Sequence, residues 1–188
     1  VAKLKVDGVR DFRNFMGAVI DKPAFDSITS YIEYAKASEE AEILAGGSYF
    51  DSVGYFVQPT IIVTTNPNFK TMVEEIFGPV LTIYVYENDK LEETLTSVDT
   101  ASMYALTGAI FAQDRGAIQH LENRLSGAAG NFYINDKPTG AMINQQPFGG
   151  SRGSGTNDKA GSVFNMIRWT TPRVIKENFA PTTDIAYP

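Results

Sequence analysis

The 188 residues carry 43% hydrophobic and 20% charged side chains and a formal charge of -6, a balance typical of folded proteins rather than disordered ones and unsuited to general binding of phosphate backbones. With no cysteine and a single histidine, these residues cannot form a disulfide, a thiolate or multi-histidine metal site, or a cysteine nucleophile. There is no apolar run of about 18 residues that could cross a membrane as a helix, and the opening Val1-Ala-Lys-Leu-Lys has neither an initiator methionine nor a targeting pattern, as expected of a fragment or processed product.

In chain order, Phe25, Ile28, Ile32 and Ala35 recur at helical spacing and predict a helix over 23–38. Pro23 suits a first helical position, where its missing N–H costs nothing. Gly46-Gly47 ends the Ile43-Leu44-Ala45 run. β-branched and aromatic residues predict a strand over 55–65. The apolar run VLTIYVY predicts a strand over 80–86 covered on both faces. Leu91, Leu95 and Val98 predict a helix over 91–98, followed by a strand over 106–112. Ile118, Leu121 and Leu125 predict a helix over 115–125, and a short strand follows over 131–134. This alternation predicts an α/β fold with a mostly parallel sheet. Residues 136–162, rich in Gly, Pro, Ser and Asn, predict a long loop, and such loops are usually functional. Residues 168–177 return to strand-like composition, and 180–188 read as a tail.

Three strings stand out. Glu74-Glu75-Ile76-Phe77-Gly78-Pro79 predicts a sharp helix-to-strand turn, with Gly78 freeing the backbone and Pro79 entering the strand. A carboxylate at that edge can accept hydrogen bonds from sugar hydroxyls, and an aromatic two residues on can pack against a planar ring. A solvated acidic helix end with a core phenylalanine is the commoner fate of such a pair. Around Gly149, Gly150, Gly153 and Gly155 the spacing has the wrong order for a dinucleotide fingerprint and lacks its strand–helix setting, so a flexible or close-packed loop is expected. Asn131 to Gly140 runs from a strand into the long loop, where backbone N–H groups around Gly140 could hold a carboxylate, or the segment could simply close the strand. His120 lies off the apolar stripe of its helix and is expected at the surface. It has no identifiable partners for a catalytic triad.

The ordered strings Glu-Glu-Ile-Phe-Gly-Pro-Val, Leu106-Thr-Gly-Ala-Ile-Phe and Pro147-Phe-Gly-Gly-Ser-Arg resemble segments of the aldehyde dehydrogenase superfamily in the same order. FMGAVID, ILAGG, SVGYFV, AGNFYINDK, QQPFGG and SGTND are similar to its pyrroline-5-carboxylate branch. The similarity runs from about Phe12 to Glu177 and corresponds to the last third of a family member. It implies the C-terminal portion of an aldehyde dehydrogenase catalytic domain, of α/β class with a mostly parallel sheet, plus a terminal oligomerisation strand. The implied divisions are a partial catalytic domain over 1–162, an oligomerisation-strand region over 163–179 and a tail over 180–188.

The implied activity is NAD-dependent oxidation of L-glutamate γ-semialdehyde, the open form of pyrroline-5-carboxylate, to L-glutamate in proline catabolism. In that family a cysteine thiolate attacks the aldehyde and a hydride passes to the nicotinamide. By resemblance Glu75 binds the nicotinamide-ribose hydroxyls and Phe77 packs beside the nicotinamide. Gly140 and Ala141 offer N–H groups to the substrate's α-carboxylate, and Phe148 walls the aldehyde pocket. No catalytic residue and no metal ligand is assigned within these residues, because the family's cysteine and general base lie upstream, so the chain alone is expected to be inactive. The resemblance further implies a mitochondrial matrix location, or cytoplasmic if bacterial, and self-association through residues 168–177. No nucleic-acid or membrane partner is expected. Two alternatives stand beside this reading. One is a non-catalytic binding or assembly module derived from the family, and the other is a different aldehyde dehydrogenase branch.

Overall fold

The structure, a computed structural model, describes residues 1–138, 141–142, 144–155 and 159–186. Asp21 begins the first helix by accepting the Ala24 N–H, one of the donors that a helix start leaves unpaired. Helix α1 (Lys22–Lys36) then buries one face, Phe25, Ile28, Thr29, Ile32 and Ala35. That face packs on strands β1 (Ala41–Ala45) and β3 (Phe56–Val57). Phe25, Ile28, Ile32 and Val57 form one core cluster, which Ile76 and Val80 extend toward the acidic turn. A second cluster joins Ala35 to Ile62 and Phe69.

The strand predicted over 55–65 is two strands, β3 and β4 (Thr60–Thr64), interrupted at Pro59, which has no N–H to give a ladder. Strand β2 (Tyr49–Phe50) pairs with β3 to make a short hairpin. Strand β4 is central, with β1 antiparallel on one side and β5 (Val80–Tyr84) parallel on the other. The short helix α2 (Lys70–Val73) lies in the β4–β5 connection. Helix α3 (Leu91–Thr100) leads to β6 (Tyr104–Ala105) and β7 (Thr107–Ile110), and helix α4 (Arg115–Arg124) connects β7 to its parallel partner β8 (Asn131–Ile134). Leu95, Ile110, Ile118 and Leu125 form the core of this second layer. Strand β9 (Ser151–Arg152), inside the long loop, pairs antiparallel with β6.

Among the described residues three strand pairs are antiparallel and two are parallel, so the three-stranded sheet is mixed and the pairing is not mostly parallel. Both parallel pairs have a helix in their connection, as parallel strands require. Strands β1 and β4 are joined through the β2–β3 hairpin, with no helix between, and so run antiparallel. Strand β5 is not covered on both faces. It is an edge strand of its sheet, and Leu81 is 58% exposed.

Gly46 and Gly47 end β1 with φ of 76° and 77°. A Cβ on Gly46 would stand 2.1 Å from the Pro59 carbonyl oxygen. Gly46→Ala should combine left-handed strain with a backbone clash and cost at least about 1–2 kcal/mol of stability, measured as a lowered denaturation midpoint. An unchanged midpoint would show that the β1–β4 approach is not tight.

Beyond helix α5 (Val163–Ile167) the expected terminal strand does not form within the chain. Trp169, Val174 and Ile175 are exposed. A strand exists only where a neighbour satisfies its N–H and C=O groups, and no described segment adjoins this one as a ladder partner. His120 is half-exposed as expected, yet it is not isolated. It bonds Glu92 of α3, whose other carboxylate oxygen takes Arg124 at 3.4 Å. The His120 bond, with smaller help from Arg124, holds the Glu92 carboxyl below the usual glutamate range.

Candidate cofactor and substrate site

The acidic turn leaves α2 and enters β5 as the sequence predicts. Thr82 donates to the Thr71 hydroxyl at 2.7 Å, which ties β5 to α2, and the Thr60 N–H reaches the Pro79 carbonyl at 2.8 Å. Gly78 has no positive φ. Its lack of a side chain is required by packing, since a Cβ there would lie 2.6 Å from the Ile28 side chain. The core face of α1 thus presses directly on the turn. Phe77 takes the left-handed conformation, with φ of 55°, and is 88% exposed. A bulky residue held in that region is strained, and such strain concentrates at functional sites. Phe77 is not the core phenylalanine of the common alternative.

The two carboxylates are separated in role. Tyr31 of α1 donates its hydroxyl to Glu74 at 2.7 Å, and the neighbouring carboxylate holds the Tyr31 hydroxyl above its ordinary pKa. The Lys70 ammonium lies 5.0 Å from the Tyr31 ring centre and 5.4 Å from that of Tyr34, and steadies this surface. Both carboxylates are exposed and line an open cleft of about 250 Å³ with Ser102, Tyr104 and Thr107, but only Glu74 takes the Tyr31 bond. A carboxylate and an exposed aromatic therefore stand on one turn beside open space.

The second part of the site is built on β8. Asn131 bonds to both sides of Phe148: its Nδ2 donates to the Pro147 carbonyl at 2.9 Å and its Oδ1 accepts the Gly149 N–H at 3.0 Å. Phe148 and Ala160 exchange backbone hydrogen bonds of 2.9 and 2.7 Å. The Lys159 ammonium donates to the carbonyls of Gly149 and Gly150, at 3.0 and 2.8 Å. A Cβ on Gly130 would stand 2.1 Å from the Gly149 oxygen, and one on Gly150 would stand 2.2 Å from the Ser154 oxygen. The glycine-rich string packs closely against its own backbone, as expected of a close-packed loop, and with Gly130 and Lys159 it also lines a cleft of about 340 Å³.

Phe148 and Ala141 come together, lining a cleft of about 260 Å³ with Gln146, Ala160 and Gly161. Gly140 lies outside the described residues. No residue lines both this cleft and that of Glu75. Among the described residues no three His, Asp or Glu side chains are grouped to hold a metal, and no helix is long and apolar enough to cross a membrane.

Sequence reasoning missed Tyr31, Asn131 and Asn135. Asn135 ends β8 with φ of 55° and bonds both the N–H and the carbonyl of Ala112, at 2.9 and 2.8 Å. The available signal was an asparagine opening a predicted strand, where that residue is depleted, and a second one just past its end, where asparagine readily takes a left-handed turn.

Residues 1–175 match the profile of the aldehyde dehydrogenase family. Delta-1-pyrroline-5-carboxylate dehydrogenase, mitochondrial, of Dictyostelium discoideum is 60% identical over 188 residues, which are 100% of this chain and 34% of that relative. The Homo sapiens protein of that name is 51% identical, over 99% of this chain and 33% of that relative. The crystal structure of the Mycobacterium tuberculosis Delta-pyrroline-5-carboxylate dehydrogenase bound with NAD superposes with a TM-score of 0.86 at 49% identity, covering 100% of this chain and 34% of that one. The chain thus spans about a third of the length of the curated relatives it matches. With its ordered strings set on that fold and the profile matched over nearly its whole length, the chain belongs to the aldehyde dehydrogenase family.

Proposed function

We propose that this chain is part of an NAD-dependent dehydrogenase that oxidises L-glutamate γ-semialdehyde, the open form of pyrroline-5-carboxylate, to L-glutamate in proline catabolism. The observation that carries the reading is the similarity to pyrroline-5-carboxylate dehydrogenases over the full chain, including a structure bound with NAD. The exposed ring of Phe77 and the exposed Glu75 carboxylate on the same turn support this reading.

Hydride acceptance is the chemistry that NAD supplies when bound. The roles that fall to residues of this chain are binding and positioning. Glu75 would accept hydrogen bonds from the nicotinamide-ribose hydroxyls, and Phe77 would pack beside the nicotinamide. Phe148 walls the aldehyde pocket. Gly140 and Ala141 hold the substrate's α-carboxylate through backbone N–H groups, and for Ala141 the cleft it shares with Phe148 supports the reading. A thiol nucleophile would have to come from outside these residues, which contain no cysteine. Residues 168–177 add a strand to a second copy. The exposed Trp169, Val174 and Ile175 support this role, because exposed apolar side chains on an extended segment favour pairing with another chain. The location proposed is the mitochondrial matrix, following relatives named as mitochondrial.

The test is NADH formation from pyrroline-5-carboxylate by the longer polypeptide that contains this sequence. Turnover by that polypeptide and none by the isolated 188 residues is the expected pair of results. Turnover by the isolated chain, or its absence in the longer one, would overturn the reading. An inactive longer polypeptide that binds a protein partner would favour an assembly module.

A further inference from the structure

We propose that Asn131 is a positioning residue for the aldehyde pocket, its carboxamide acting as a missing strand that fixes Phe148. The proposal rests on the reading that Phe148 walls that pocket. The two peptide groups flanking Phe148 are each bonded at both ends. In the first, the Pro147 carbonyl accepts from Asn131 Nδ2 while the Phe148 N–H goes to Ala160. In the second, the Gly149 N–H goes to Asn131 Oδ1 while the Phe148 carbonyl accepts from Ala160. Phe148 therefore sits in the middle of a three-strand-like ladder, with Ala160 on one side and a single side chain on the other.

Only a short amide can play that part, because it offers a donor and an acceptor at peptide spacing. The approach is made close by Gly130, whose hydrogen faces the Gly149 oxygen at a distance no Cβ could tolerate. The Lys159 ammonium holds the same loop from the carbonyls of Gly149 and Gly150. Backbone dihedrals set in this way aim the half-buried Phe148 ring at the cleft it shares with Ala141 and Gln146. Asn131 lines neither that cleft nor the one at Glu75, so it would act on substrate only through Phe148.

The experiment is a double-mutant cycle in the full-length enzyme, with Asn131→Ala, Phe148→Ala and the pair, reading KM for semialdehyde and for NAD separately. Losing two hydrogen bonds that orient the ring should raise the aldehyde KM about tenfold, with the NAD KM unchanged. In the Phe148→Ala background the Asn131 substitution should add nothing. If Asn131→Ala does not fold, Asn131→Asp keeps the shape and the Gly149 bond, loses the donor to Pro147, and enters the same cycle. Additive effects, or equal losses toward aldehyde and NAD, would overturn the positioning role and leave the pocket reading intact. An unchanged aldehyde KM in Phe148→Ala would instead overturn the pocket reading, and this proposal with it.

Discussion

Ile32→Ala should lower the unfolding free energy by about 2–5 kcal/mol. Ile32 is 0% exposed and sits in the cluster with Phe25, Ile28 and Val57 on the inner face of α1. Removing its branched side chain loses apolar burial and leaves a cavity that the surrounding helix and sheet can only partly close. The effect should extend beyond stability. The neighbouring Ile28 fills the space that Gly78 leaves open, so loosening α1 loosens the turn that carries Glu75 and Phe77. Urea denaturation of the variant, compared with Ser30→Ala on the exposed face of the same helix, measures it. A shift for Ile32→Ala no larger than the roughly 0.5 kcal/mol expected of a surface change would contradict the packing described.

Glu75→Ala should raise the NAD KM roughly 10- to 100-fold, the range expected for losing hydrogen bonds to a charged group at about 1.4 kcal/mol per tenfold. Glu74→Ala should change it little. Both carboxylates line the same cleft, but they differ in their hydrogen-bond partners. Glu74 is held by the Tyr31 hydroxyl, whereas Glu75 does not make that contact. Steady-state NAD titrations of the two variants in the full-length protein decide the matter. Equal effects would mean that the acidic turn acts as a diffuse charge and not through one placed carboxylate.

Local periodicity made much of the fold readable. Helix α1 was expected over 23–38 and spans Lys22–Lys36, α4 was expected over 115–125 and spans Arg115–Arg124, and β8 spans the expected 131–134. In each case one apolar face or one compact β-rich run carries the signal. Strand β1 escaped notice because its identity depends on pairing with β4 across the hairpin, and that pairing is what makes the sheet mixed. The terminal strand was read from composition, but a strand also needs an edge to join. At the site, the strings carrying Glu75, Phe77 and Phe148 were legible through resemblance. The left-handed Phe77, the grip of Tyr31 on Glu74 and the Asn131 bracket were not, because each depends on residues brought together only by folding.

The most direct test of the proposed function compares two aldehydes on the full-length enzyme. One is L-glutamate γ-semialdehyde, and the other is an aldehyde of similar length without the α-carboxylate. If the backbone at Gly140 and Ala141 grips that carboxylate, kcat/KM should favour the semialdehyde by roughly 10- to 100-fold, the scale of a hydrogen-bonded charge. Equal kcat/KM for the two would contradict the pyrroline-5-carboxylate reading and point to a different aldehyde dehydrogenase branch.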